Sequence, residues 1–490
     1  MKTIFIILLQ TIALASVAQN LQKNKGALHA RLDSLTEEYQ KAKFNGVVLI
    51  AKGEQILYRG AFGFANIERK IPMTPDKLFK TESVGKMFTS TRIIQLVKEG
   101  KISFDKTITE YLPDWKIKNA NKITIHQLLN HTSGLMSPWD DPSYDFRKIY
   151  SSNELKQLLE KQGVAFEVPG TRFHYSNWGY FLLGEIIAKL DGMPFDDAIQ
   201  QNIFRVSGME RIHHLNDTLM PPDEAQPYYN LSSSKAIPYN VSLSPKATPA
   251  GGWITDANDL LRFLQAYLGN KFFDQQAELL QQTANHTVDA SSQGRHYAYG
   301  MQIINDRNIC GKKIVGHNGG GAGFSIDVFF EPESQYIVVM CSNMYGTGYS
   351  ITGNYFNLLW GKPLRKVQQN ILIRVVDKIQ LQGSKRLIDN PKTFFEQLAT
   401  EPSPPLLINA SENLQQMNDL SSAADVLAVA RELFPENPYV WISSGSVERK
   451  RNNSSLARDH YKKALAIGTK EKNDQVIEAA NSSLKELAEF

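Results

Sequence analysis

Two blocks of strand-forming sequence, far apart in the chain, constrain the fold most. The first, "NGVVLIAKGEQILYRGAFGFAN", is two β-rich runs split by a turn at Lys52, Gly53 and Glu54. The second, about residues 297–345, contains "KKIVGHNGGGAGFSIDVFFEPESQYIVVMCSNM" and reads as a meander of strands. From about 104 to 270 the chain is mainly helical in pattern, with loops rich in Pro, Ser, Asn and Asp. Strands therefore open and close a region whose middle is helical. The economical solution is an α/β (α+β) architecture: one antiparallel sheet built from both ends, covered by helices, with a helical insertion beside it. An amphipathic helix, "LHARLDSLTEEYQKAKF", precedes the first strand.

Between the blocks lies "TESVGKMFTS", residues 81–90. Residues 83–99 read as a helix with Val84, Met87, Ile94 and Val97 along one side and Gly100 as its stop. Ser83 and Lys86 share a face of it. A lysine in an apolar helix needs a reason, because the ammonium is costly to bury. A serine hydroxyl needs a neighbouring base to become a nucleophile, and a desolvated lysine can be that base or hold another one active. Alone, Ser-x-x-Lys is weak: "SSSK" at 232–235 is a chance occurrence.

Two further stretches give the pair weight. "FHYSNWGY" carries Tyr175 and Asn177, which alone read as a packed ring and a capping amide. A tyrosine beside an ammonium can instead be held as phenolate, and an asparagine can bond a substrate carbonyl or orient the lysine. "VGHNGGGAGFS" places His317 and Gly319 at the end of a strand, where glycines admit close backbone approach. Its bland reading is a glycine-rich hairpin turn.

In this order, Ser-x-x-Lys, Tyr-x-Asn and His-x-Gly resemble the serine β-lactamase and penicillin-binding-protein superfamily, in the branch of class C β-lactamases, D-amino-acid peptidases and esterases. "LFKTESVGKMFTSTRIIQLVKEGKISFDKTITEYLPDW", "ITIHQLLNHTSGL" and "TPAGGWITDANDLLRFLQ" extend the similarity over about residues 28–345. The resemblance implies that Ser83 is acylated. Lys86 and Tyr175 share proton handling, with Tyr175 the expected base. Asn177 orients substrate, and His317 and Gly319 line the site from the strand. The oxyanion hole would use the N–H groups of Ser83 and Gly320. No cofactor or metal is implied.

The third motif departs from the Lys-Thr-Gly of many β-lactamases, whose lysine helps bind the substrate carboxylate. Histidine is largely neutral at pH 7 and attracts a carboxylate less. That favours ester or amide cleavage of another acyl donor over antibiotic hydrolysis. The expectation is a serine hydrolase acting on small esters, D-amino-acid peptides or peptidoglycan fragments. A true β-lactamase or D,D-carboxypeptidase is the alternative, and a non-catalytic ligand sensor or scaffold a third reading. Among other polar residues, His126 and His131 are read as structural, Glu82 as a cap of the helix start, and Asp140 and Asp141 as loop residues.

The ends of the chain add context. "MKTIFIILLQTIALASVAQN" has the pattern of a secretory signal peptide ending at Ala18, so an exported, periplasmic or secreted protein with no membrane span in its mature chain is expected. Net charge is +4 and the basic residues are scattered, which argues against nucleic acid. Cys310 and Cys341 would sit two strands apart in the meander, too far for a bridge, so two free thiols are expected. The domain reading is 1–18 signal, 19–362 hydrolase, 363–403 helical linker and 404–490 tetratricopeptide-like repeats. Trp441, Gly445, Ala457, Tyr461 and Ala464 fall on the signature of a repeat over 438–471, and Ala423, Ala430 and Pro435 on that of one over 404–437. Glu448 and Thr469 depart from it. Such repeats suggest a protein partner besides the small-molecule or peptide substrate.

Overall fold

The computed structural model describes residues 26–487 apart from 139–143, 146–147, 149, 215–222, 241–246, 275–285, 288–294, 306–310 and 348. The signal-peptide reading, Asp140, Asp141 and Cys310 lie outside the described residues. The chain forms two compact units. One comprises the chain up to Tyr228 together with Pro238–Val367; the other comprises Tyr229–Ile237 together with Gln368–Phe490.

In the first unit, helix α1 (26–41) leads into strands β1 (Gly46–Lys52) and β2 (Gln55–Phe62). Gly53, with φ +54°, turns the hairpin. After α2 (Gly85–Lys98), α3 (Asn177–Asp191) and α4 (Ala257–Leu268), the chain returns to the sheet. It adds β3 (His286–Thr287), β4 (Arg295–Tyr297), β5 (Gln302–Ile304), β6 (Ile314–Gly321), β7 (Phe324–Phe330) and β8 (Tyr336–Ser342), then α5 (Tyr349–Leu359). The eight strands lie in the order β2-β1-β8-β7-β6-β5-β4-β3. β1 pairs antiparallel with β8, from Gly46 opposite Ser342 to Lys52 opposite Tyr336. The pairing of β1 with β8 thus joins the two distant blocks into one antiparallel sheet, with β2 and β3 at its edges.

Both faces of that sheet are covered, so β1 is buried without visible alternation. Val47, Leu49 and Ala51 pack into the larger core with α2, α3 and α4. Val48 and Ile50 pack into a second core with Leu32, Leu35 and Tyr39 of α1 and Tyr355 and Phe356 of α5. At 25 cal/mol per Å², each fully buried aliphatic side chain contributes about 1.5–3 kcal/mol. Helix α2 runs through the larger core and is buried nearly all round. Its one buried guanidinium, Arg92, is held by Asp191 at the end of α3, at 2.9 Å from Nε and 2.6 Å from Nη2, and by Glu99 at 2.7 Å. Cys341 of β8 is a buried free thiol.

The second unit is helical. Helix α6 (Ile371–Gln382) and two short helices, Lys385–Asp389 and Pro391–Glu396, precede α7 (Pro404–Gln416), α8 (Leu420–Leu433), α9 (Pro438–Lys450), α10 (Ser454–Glu471) and α11 (Asp474–Glu486). Asparagine, aspartate or serine caps each of the five long helices from α7 to α11. Val375, Val376 and Phe395, from the segment read as a linker, share one core with Leu407, Leu427 and Val440. Gly445 is required where α9 meets α10, because a Cβ there would stand 2.5 Å from the Tyr461 ring. The "SSSK" stretch belongs to this unit, where Ser233 N–H donates to Asp377 Oδ1 at 2.8 Å.

Candidate active site

Ser83 sits in a single 3-10 turn, Glu82–Val84, and α2 begins just after it at Gly85. The helix is shorter at this end than the spacing suggested, and the turn is held by its neighbours rather than by a cap. Thr81 N–H donates to Trp253 O at 2.6 Å, and Gly252 N–H to Glu82 O at 3.1 Å. Thr89 Oγ1 donates to Pro249 O at 2.7 Å. Residues 249–253 therefore clamp the turn from one side.

Strand β6 closes the other side. A Cβ on Gly319 would run into the Thr81 carbonyl oxygen and stand 3.2 Å from Ser83 N. Beyond Gly316, β6 pairs with β7 but no longer with β5, so among the described residues its edge over 317–321 has no strand partner on that side. Gly319 is buried beneath the turn and Gly320 is exposed. The glycines are needed for this close approach, which brings backbone of β6 beside Ser83 N–H.

Glu82 does not cap the helix, a correction to the sequence reading. Its φ is +47°, and no side chain caps this end. Its carboxyl group packs against Gly321, where a Cβ would stand 3.1 Å from Oε2. Oε1 is buried with no hydrogen-bond partner. Burial raises the Glu82 carboxyl above its ordinary range, while Lys80 and Lys86 oppose that rise.

Lys86 is fully buried. Its Nζ donates to Ala250 O at 2.8 Å and lies 3.2 Å from Ser83 Oγ. It also stands 4.9 Å from the centre of the Tyr175 ring and 5.4 Å from that of Tyr180. Desolvation pushes its pKa well below that of a free lysine, with only Glu82 opposing. The Tyr175 hydroxyl is hydrogen-bonded to Ser83, but burial raises the phenol above its ordinary value. That direction runs against a phenolate.

Tyr175 and Asn177 enter from the start of α3. Ser176 between them is buried, its Oγ donating to Met136 O at 2.5 Å and its N–H to His131 Nδ1 at 3.1 Å. His131, with φ +61°, lies 4.2 Å from the Tyr175 ring and 4.6 Å from the Tyr297 ring. His131 is thus the packed support under Tyr175. His126 is a structural residue, its Nε2 at 3.0 Å from Asn130 Nδ2 and its Nδ1 at 2.6 Å from the Tyr299 hydroxyl. The Asn177 Oδ1 is buried without a hydrogen-bond partner among the described residues.

His317 lines the floor from β6, 1% exposed. Its Nδ1 is 2.5 Å from Asn318 O and its Nε2 is 2.8 Å from the Tyr297 hydroxyl. Burial, reinforced by Lys86, lowers its pKa to about 3, so the ring is neutral. The structure thus gathers Ser83, Lys86, Tyr175, His317 and Gly319 around one point, with Asn177 beside Tyr175 at the helix start. The sequence reading missed Tyr297, Tyr180 and the Ala250 carbonyl. Of these, Tyr180 and Ala250 lie in stretches already quoted, "FHYSNWGY" and "TPAGGWITDANDLLRFLQ", but neither was singled out there.

The profile of the β-lactamase family matches residues 32–359. Penicillin-binding protein 4* of Bacillus subtilis (strain 168) is 30% identical over 329 residues, which are 62% of this chain and 68% of that protein. The crystal structure of a penicillin-binding protein from Bacillus halodurans superposes with a TM-score of 0.57 at 27% identity, over 65% of this chain and 97% of that one. D-amino acid amidase from Ochrobactrum anthropi shares the fold, with a TM-score of 0.58 at 22% identity over 69% of this chain and 98% of that one. The chain belongs to the β-lactamase family and is a serine hydrolase.

Proposed function

We propose that the protein is an exported hydrolase that cleaves small esters, D-amino-acid peptides or peptidoglycan-type amides through an acyl-enzyme on Ser83. The 3.2 Å approach of buried Lys86 Nζ to Ser83 Oγ carries this reading. Desolvation favours the neutral amine, so Lys86 is the base. Tyr175, the base expected from the sequence, is assigned a protonated hydroxyl because burial disfavours its phenolate. As Ser83 Oγ bonds the acyl carbon, its proton passes to Lys86. The carbonyl oxygen becomes the oxyanion, held by Ser83 N–H and Gly320 N–H, each donor worth about 3 kcal/mol. Collapse of the intermediate breaks the bond to the leaving group, which takes the proton, and water then releases the acyl group. Asn177 orients the substrate.

The substrate class follows from the third motif. A neutral, buried His317 adds no positive charge for a substrate carboxylate. The B. subtilis relative's name, penicillin-binding protein, keeps a β-lactamase or D,D-carboxypeptidase as the second reading. Turnover of a short-chain para-nitrophenyl ester and of a D-amino acid amide, set against a chromogenic cephalosporin, tests the choice. Faster turnover of the first two is expected; a cephalosporin preference overturns it. The amino-terminal pattern supports export, and no described helix is long and apolar enough to cross a membrane. The helix pairs α7–α8 and α9–α10 fit tetratricopeptide-like repeats, which we assign to a protein partner.

A further inference from the structure

We infer that Tyr297 is a positioning residue that sets substrate choice: it holds His317 so that the third motif offers no hydrogen bond to an acyl donor's carboxylate. This rests on the reading of Ser83 as the acylated residue. Tyr297 belongs to none of the three motifs and is 1% exposed. It reaches His317 from β4, two strands away from β6 in the sheet.

The argument begins with proton placement. Asn318 O is a carbonyl and can only accept, so the His317 Nδ1 at 2.5 Å must carry the hydrogen. In a neutral imidazole Nε2 is then an acceptor, and the Tyr297 O–H donates to it across 2.8 Å. The alternative, a cationic ring donating from both nitrogens, is opposed by burial, the largest cause that lowers the pKa of this ring. Other groups facing the ring give it no negative charge. His131 lies 4.6 Å from the Tyr297 ring, and Tyr175 and Tyr180 are phenols with raised pKa. Both nitrogens of His317 are therefore used inside the protein. A lysine in this place would project an ammonium; this histidine is tied down instead. Without the Tyr297 hydroxyl, Nε2 loses its donor, and a substrate carboxylate placed beside it would stabilise there the proton that burial alone opposes.

The test compares two acyl donors on wild-type protein and Tyr297→Phe at pH 6: benzylpenicillin, which bears a carboxylate, and para-nitrophenyl acetate, which does not. The ratio of their second-order acylation constants is expected to rise at least tenfold in the variant. An unchanged or lower ratio overturns the inference. A second measurement needs no folded variant at position 297. Nitrogen NMR of the wild-type protein labelled at histidine, with His317→Gln for assignment, is expected to show His317 protonated at Nδ1 and invariant from pH 5 to 9. A hydrogen on Nε2, or titration in that range, overturns it. The hydrolase reading fails separately, through ester turnover that survives Ser83→Ala.

Discussion

Lys86 Nζ stands 3.2 Å from Ser83 Oγ while donating to the Ala250 carbonyl at 2.8 Å. The carbonyl anchors the amine without neutralising it, and burial makes the charged form costly. An amine held well below its ordinary pKa accepts the serine proton more readily than a solvated lysine does.

The pH dependence follows from that direction. Lys86 must be unprotonated to act, and its pKa lies well below the ordinary 10.5. Activity is therefore lost as pH falls through the depressed value and is full above it. The kcat/KM profile for a neutral ester should show one acid limb well below 10.5. Lys86→Met should reduce kcat/KM by about 10²–10⁴-fold, the range for loss of a general base.

Glu82 sets the position of that limb. It is the one group that raises the Lys86 pKa. Glu82→Gln keeps the shape of the side chain but removes the carboxylate, so Lys86 should lose its proton more easily. The acid limb should move to lower pH, read from the same profile in wild-type and variant protein. A shift to higher pH speaks against the electrostatic account.

Gly319 keeps β6 against the nucleophile turn. Gly319→Ala drives a methyl group into the Thr81 carbonyl, so strand and turn must separate. With the N–H groups of Ser83 and Gly320, the proposed oxyanion donors, pulled apart, kcat should fall about 100-fold. Steady-state kinetics alongside a melting curve checks this; a kcat within about threefold of wild type contradicts it.

Gly445 gives a prediction for the helical unit. Gly445→Ala places Cβ 2.5–2.8 Å from atoms of the Tyr461 ring, which must move. Overpacking of this kind costs about 1–3 kcal/mol. Calorimetry of the full chain should show the transition of the C-terminal unit at a lower temperature.

Much of the fold was legible because its signals are local or periodic. The β1–β2 hairpin, the closing strands and the capped helices each leave a mark within a few residues. One sheet built from both ends followed from where the strand blocks stand, and the fold supplies the pairing of β1 with β8. Four things were not legible. Tyr297 sits in a three-residue strand and acts on a residue 20 positions later, with no spacing rule between them. Glu82 adopts a left-handed φ where the backbones of Gly251 and Gly319 approach it closely, neighbours that only folding brings together. Residues 371–396 were read as part of a helical linker, yet Val375, Val376 and Phe395 pack with those of α7–α9, a partnership no local pattern announces. The choice of base also required the fold, since burial decides the direction of both pKa shifts.

The central claim is that Ser83 carries the acyl group, and a covalent adduct tests it most directly. Wild-type protein and Ser83→Ala would be mixed with a short-chain para-nitrophenyl ester, quenched, and examined by intact-mass and peptide mass spectrometry beside the rate of nitrophenol release. The account predicts an acyl adduct on the peptide containing Ser83 in the wild type, and neither adduct nor release above background in Ser83→Ala. Equal release by both proteins, or an adduct mapped to another residue, would contradict it.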